Sequence, residues 1–385
     1  MANETASLKP QGLRIFKIAG IQIRLDYSWL IIFVLVLWSL SAGYFPHYYP
    51  DQTTGTYWLA GLVATLFFFA SILTHELSHS LVARRFGIEI REITLFIFGG
   101  LANIAKEPTS PKSEFTIAIV GPFTSFVLAA LFWGITVATE GIVSPLTIVI
   151  FDYLAWINLA LGIFNLLPGF PLDGGRVFRA IWWWKTGSLV RATKVASDIG
   201  KGLALALMIF GALNIFAGSL VGGLWFIFIG MFLRGLAVGG YQQVIVQQSL
   251  EGTQARDIMI RDVVSVPAAS SLSSVVSDYF LRYGFRGFPV TRDGEILGVI
   301  SLAQVRQIAP EERGDNDVGQ VMVPRSDKIE IAPDASLAEA LKRMTQEDIG
   351  RLLVVENDRV VGMITKTGLL RYWEARRALE DNLTP

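Results

Sequence analysis

The chain has 385 residues, 52% of them hydrophobic, with 33 basic and 33 acidic side chains and no net charge. That length allows two or three domains, and no segment is basic enough to form a phosphate-binding stripe, so no nucleic-acid partner is expected. Cysteine is absent, which removes disulfides, cysteine nucleophiles and thiolate metal ligands; histidine occurs three times, as His47, His75 and His79.

The long apolar runs lie almost entirely before residue 236, and the composition after it is that of a soluble domain. Residues 1–26 are mostly polar and read as a cytoplasmic N-terminal segment. They are not read as a cleavable signal, because the first apolar run continues as a full span with no small-residue cleavage site. Residues 21–25 (IQIRL) alternate as a strand does. Six apolar stretches can meet the roughly 20 residues that a bilayer demands. They lie at about 27–45, 57–83, 115–138, 146–167, 202–218 and 219–235, the last two short enough to be a tight hairpin. Between the second and third, residues 88–98 (IEIREITLFIF) read as a second strand ended by Gly99-Gly100. The two strands would form a small sheet at the membrane surface and cover the mouth of the bundle or meet a substrate.

Charge orients the spans. Lys9, Arg14, Lys17 and Arg24 precede the first span. Arg84, Arg85, Arg91, Lys106 and Lys112 follow the second, and Arg176, Arg179, Lys185, Arg191, Lys194 and Lys201 follow the fourth. The alternate loops near 46–56, 139–145 and 218 carry no Lys or Arg. This positive-inside pattern predicts a multi-pass cell-membrane protein with both termini in the cytoplasm.

The chemistry concentrates in HELSH, residues 75–79, inside the second span. Histidines at i and i+4 share one helix face and can bind one metal ion, and the intervening glutamate can accept a proton from an attacking water. Two nitrogens plus a carboxylate suit zinc. An ionisable side chain in mid-bilayer costs roughly 2.5–3.5 kcal/mol on insertion scales, so these residues read as functional. Carboxylates that could complete the site are Glu89, Glu92, Asp152 and Asp173. Asp173 lies in NLLPGFPLDGG (165–175), whose prolines and glycines bend the backbone; such a bend within a membrane must line a cavity, although PLDGG alone would be an ordinary turn.

HELSH in the second span, followed by N-x-x-P-x-x-P-L-D-G-G at the end of the fourth, resembles the site-2 protease family of intramembrane metalloproteases over residues 12–235. The resemblance implies that His75, His79 and Asp173 bind Zn2+, that Glu76 is the catalytic base, and that Asn165 holds the substrate carbonyl. Gly121-Pro122 in the third span also matches the family, whereas Ser78 stands where HELGH has glycine. The implied substrate is a transmembrane protein segment that unwinds to be cut, and an extended stretch of it could pair with the strand at Ile93–Phe98.

The C-terminal part repeats itself at an offset of 63 to 66 residues: Met259 matches Met322, Pro267 matches Pro333, and GVIS (298–301) matches GMIT (362–365). Each copy reads as strand, helix, two strands, helix. This resembles a tandem CBS pair over 253–374, a module that often binds adenine nucleotides and regulates an attached enzyme or transporter. Ser301 and Thr365 would supply its phosphate-binding hydroxyls, but Gln304 and Gly368 stand where the family's ribose-binding Asp would be. The pair could equally dimerise or dock.

The expected fold is thus a polytopic α-helical membrane domain of about six spans with a small membrane-surface β-sheet, followed by a soluble α/β tandem CBS domain. Its parts are the segment 1–26, a metalloprotease domain 27–235, a linker 236–252, CBS repeats 253–312 and 313–374, and a tail 375–385. The expected function is regulated intramembrane proteolysis in a lipid bilayer, with a CBS-regulated channel or transporter as the alternative and a homodimer through the CBS domains as a further expectation.

Overall fold

The membrane helices begin where a hydroxyl or carboxylate can take up free N–H groups of the first turn. In this computed structural model, which describes residues 12–97, 99–104, 108–347 and 349–381, Asp26 caps α1 (Tyr27–Ser39) and Thr53 caps α3 (Thr54–Arg85). Ser110, Ser144 and Ser188 cap α4 (Pro111–Thr139), α5 (Pro145–Asn165) and α7 (Leu189–Phe216). Proline at N1 of α4 and α5 pre-sets the first turn. A π-helical turn (Leu40–Tyr44) and the short α2 (Phe45–Tyr48) extend α1. Helix α6 (Asp173–Thr186) follows α5 and ends on Gly187 in the left-handed region, φ +67°. Helix α8 runs from Leu220 to Glu251. Residues 1–11, Phe98, Lys106 and residues 382–385 lie outside the described residues.

Among the described residues, six helical stretches are long and apolar enough to cross a membrane, as the sequence predicts. Many large apolar side chains on them, such as Ile31, Trp38, Phe123, Trp156 and Leu213, are exposed, which suits lipid. The last two are not short: α7 has 28 residues and α8 has 32. Hydropathy misses the first three turns of α7 because Lys194, Asp198 and Lys201 lower it. The buried face of those turns is built of Ala192, Ala196, Ser197 and Gly200, and Ser197 Oγ donates to the Ala237 carbonyl of α8 at 2.8 Å. The segment 236–251, expected as a linker, is the last part of α8.

Four strands form one sheet in the order β1 (Gly12–Ile18), β2 (Ile21–Asp26), β3 (Ile90–Phe96), β4 (Gly99–Ile104). Strands β2 and β3 are parallel and the outer pairs antiparallel. Ile21, Ile23, Ile90, Ile93 and Leu95 bury one face with Ala83 of α3 and Ile117 of α4. Strand β3 ends at Phe96, ahead of Gly99-Gly100, and the glycine pair also opens β4. One expectation changes: β3 is an inner strand, so its edges are already paired. Glu92 pairs with Arg24 at 3.2 Å.

The chain divides into two compact units, up to Val244 and from Ile245. The second holds two sheets, β5 (Val266–Pro267), β6 (Gly287–Arg292), β7 (Glu295–Ser301) and β8 (Val323–Pro324) in one, and β9 (Glu330–Ile331), β10 (Arg351–Glu356) and β11 (Arg359–Thr365) in the other. The internal repeat is structural. The hairpins β6–β7 and β10–β11 carry a register shift at equivalent places, Val290/Thr291 and Val354/Val355. Each packs over its own apolar core, around Leu272, Val290 and Ile300 in the first and around Leu337, Val354 and Ile364 in the second.

Candidate metal centre

Helix α3 places His75 and His79 one turn apart, both buried. Helix α4 orients both rings. The carbonyl of Ile117 lies 2.6 Å from His79 Nδ1, and Ser125 Oγ lies 2.9 Å from His75 Nδ1. A carbonyl only accepts, so His79 Nδ1 carries the hydrogen and Nε2 presents a lone pair. Gly121 faces the two rings so closely that a Cβ there would overlap His79 Nε2 and crowd His75 Nε2.

The third donor comes from the start of α6. Asp173 is its first residue, where the helix dipole favours a carboxylate. Its Oδ2 lies 3.1 Å from each Nε2, and the two Nε2 atoms are 3.2 Å apart. Lone pairs of two imidazoles and a carboxylate thus converge on one point, a convergence that a cation relieves. Donors held at about 2.0–2.1 Å around tetrahedral zinc stand about 3.3 Å apart, so this triangle suits zinc. Among the described residues, this trio is the group able to hold a metal ion.

A cavity of about 580 Å3 opens on the trio. Glu76 and Asn165 both line it, with Ile32 and Val36 of α1 and Phe232 and Leu236 of α8. Gly100 of β4 lies against Glu76, and a Cβ at Gly100 would overlap the Glu76 side chain. The structure therefore brings His75, Glu76, His79, Asn165 and Asp173 to one cavity. Of the other carboxylates weighed for the site, Glu92 is held by Arg24 in the sheet, and neither Glu89 nor Asp152 joins the trio.

Comparison with known proteins agrees with this geometry. A sequence profile for peptidase family M50 matches residues 63–149 and 135–209, and the CBS domain profile matches 255–311 and 318–375. Rip3 of Mycobacterium tuberculosis is 35% identical over 371 residues, covering 96% of this chain and 94% of its own. Zinc metalloprotease MJ0392 of Methanocaldococcus jannaschii is 31% identical over 366 residues, covering 94% and 95%. The chain belongs to peptidase family M50. It is a zinc metallopeptidase of the site-2 protease type with a tandem CBS domain, as the paired motifs imply. The solved structure of a site-2 protease from M. jannaschii overlaps 59% of this chain and 94% of its own at 30% identity, with a TM-score of 0.42.

Sequence reading of this M50 chain missed the groups that orient the ligands. Ser125 lies one helical turn beyond Gly121 and could have been found from that spacing; a backbone carbonyl such as that of Ile117 leaves no signature. The CBS hydroxyls are engaged locally: Ser301 Oγ bonds the side chain of Gln304, and Thr365 Oγ1 accepts from Gly368 N at 3.0 Å. Arg351, missed entirely, lies opposite Thr365 on β10 and against Gly287, and its Nη1 is buried with no hydrogen-bond partner among the described residues.

Proposed function

We propose that this chain hydrolyses a peptide bond within a transmembrane segment of a membrane-protein substrate, as a step of regulated intramembrane proteolysis. The observation that carries this is the position of the His75–His79–Asp173 trio: its two histidines lie on a membrane-length helix, and the trio opens into a cavity lined by α1, α3 and α8. Such a cavity can admit a segment from the bilayer while its polar groups stay out of lipid.

Bound zinc would supply Lewis acidity to a carbonyl and acidity to a water. Glu76 accepts a proton from the attacking water and returns it to the leaving nitrogen as the C–N bond breaks. The side-chain amide of Asn165 donates to the carbonyl oxygen as it gains charge. A helical substrate shields its peptide bonds, so it must unwind. The extended segment then pairs along the outer edge of β4, the edge strand of the sheet and the one that touches Glu76 through Gly100. Both basic loops and both termini lie in the cytoplasm, by the distribution of Lys and Arg. Comparative proteomics of membranes holding wild-type or Glu76→Gln protein tests the proposal. A membrane protein that accumulates uncut only with the variant supports it; identical membrane proteomes sink it.

The CBS pair regulates this activity, in our reading, by binding an adenine nucleotide, and it also offers a surface for homodimerisation. Arg351 supports an anionic ligand. Burial pushes its pKa down to about 10, so it stays charged at neutral pH, and a buried guanidinium nitrogen without a partner favours an incoming phosphate.

A further inference from the structure

Helix α4 presents Glu114, Ile117, Gly121 and Ser125 at spacings of three, four and four, which is one helix face. The last three meet the histidines. Glu114 instead meets α6: Arg179 Nε donates to Glu114 Oε1 at 2.6 Å, and Arg179 Nη2 also contacts Oε1. Both side chains are almost fully buried, Glu114 at 1% exposure and Arg179 at 4%. The Arg179 guanidinium also lies over the Phe170 ring, 5.4 Å from its centroid, and Phe170 N donates to the Ala196 carbonyl at 3.1 Å. The ion pair thus ties α4 to α6 and clamps the bend that leads into Asp173.

A buried ion pair is a poor source of stability, because its desolvation cost rivals its attraction, and an apolar pair of similar size serves as well or better. Its directional bonds do fix register. Here the register matters: Asp173 starts the helix that carries Arg179, and its Oδ2 must meet two nitrogens that α4 has already oriented.

We propose that Glu114 and Arg179 are a positioning pair, which holds α6 against α4 so that Asp173 completes the metal centre. The inference rests on the three-ligand reading above. It separates metal affinity from stability, because the pair contributes geometry more than folding energy.

The test uses the full chain in detergent micelles and the double variant Glu114→Leu/Arg179→Leu, which removes both charges and leaves neither unpaired. Zinc affinity by chelator competition should fall ten- to a hundredfold, the range seen when groups that orient ligands are lost. The visible spectrum of the cobalt-substituted protein should change, while the unfolding temperature stays the same or rises. A second arm needs no metal. With no native cysteine, spin labels at Lys112→Cys and Lys185→Cys, both exposed, report the α4–α6 distance in zinc-free protein. The distribution should broaden in the double variant. Arg179→Lys, which keeps the charge but loses the fork, should give an intermediate result in both arms and serves if the double variant does not fold. Wild-type zinc affinity together with an unchanged distance distribution overturns the positioning role. A wild-type protein that takes up no zinc overturns the three-ligand reading instead, and the spin labels still decide whether the pair sets the α4–α6 register.

Discussion

Gly121 lies so close to His79 that one added methyl group would overlap the nitrogen that faces Asp173. The close approach of α4 to α3 is therefore part of the metal centre. Gly121→Ala should lower zinc affinity by ten- to a hundredfold or more while the helices remain folded. Zinc content after dialysis, with far-ultraviolet circular dichroism as the control, checks this. Full zinc occupancy in the alanine variant would mean that the α3–α4 spacing is looser than described.

Glu76 lines the cavity beside the trio but is not one of its three donors. Glu76→Gln should accordingly keep zinc and lose cleavage by a factor of about 10² to 10⁴, the usual worth of a positioned proton acceptor. Metal analysis and peptide-bond cleavage on the same preparation measure both halves. Cleavage near the wild-type rate would remove Glu76 from the mechanism.

Asp173 and Asp152 are both carboxylates of the membrane domain, and only Asp173 meets the histidines. Asp173→Ala should lose zinc and activity together; Asp152→Ala should keep both. Equal zinc in wild type and Asp173→Ala contradicts the three-ligand assignment.

The ease with which each part could be read follows from how local its cause is. His75 and His79 were legible because one helical turn joins them, and the six spans because apolar runs of membrane length need no partner to be recognised. Asp173 lies 98 residues from His75, and only the resemblance to a known family selected it from four carboxylates. Strand β1 was invisible because its residues are mostly exposed and show no alternation. The start of α7 was missed because small residues on its buried face are no more apolar, on average, than a loop. The tie between Glu114 and Arg179 spans 65 residues and leaves no local pattern at all.

The distribution of Lys and Arg makes topology a direct test. Reporter fusions should place residues 46–56 and 139–145 outside the cytoplasm and residue 250 inside it. Residue 250 on the same side as residues 46–56 would contradict a crossing by each of the six long apolar helices, because five of them separate the two and an odd number of crossings changes sides.

The CBS pair gives the last prediction, and the structure shifts it from hydroxyls to a guanidinium. Ser301 Oγ is occupied by Gln304 at a helix start, and Thr365 Oγ1 already accepts from Gly368 N. The Ser301 hydroxyl is thus engaged, whereas the Thr365 O–H still has its hydrogen to donate. Arg351 differs: its Nη1 is buried without a partner, beside Gly287, where any side chain would collide with it. Hydrogen bonds to a charged group contribute about 1.5–3 kcal/mol, so Arg351→Gln should weaken nucleotide binding roughly ten- to a hundredfold. Ser301→Ala should weaken it much less, since the hydroxyl must first leave Gln304. Isothermal titration of the full chain in detergent with ATP, ADP and AMP measures both variants against wild type. Because binding to the folded state alone stabilises it, the tightest nucleotide should also raise the unfolding temperature of wild type and not of Arg351→Gln. No heat and no thermal shift at millimolar nucleotide, from folded protein, would leave the pair a docking or dimerising module and return Arg351 to the status of a buried charge without a known partner.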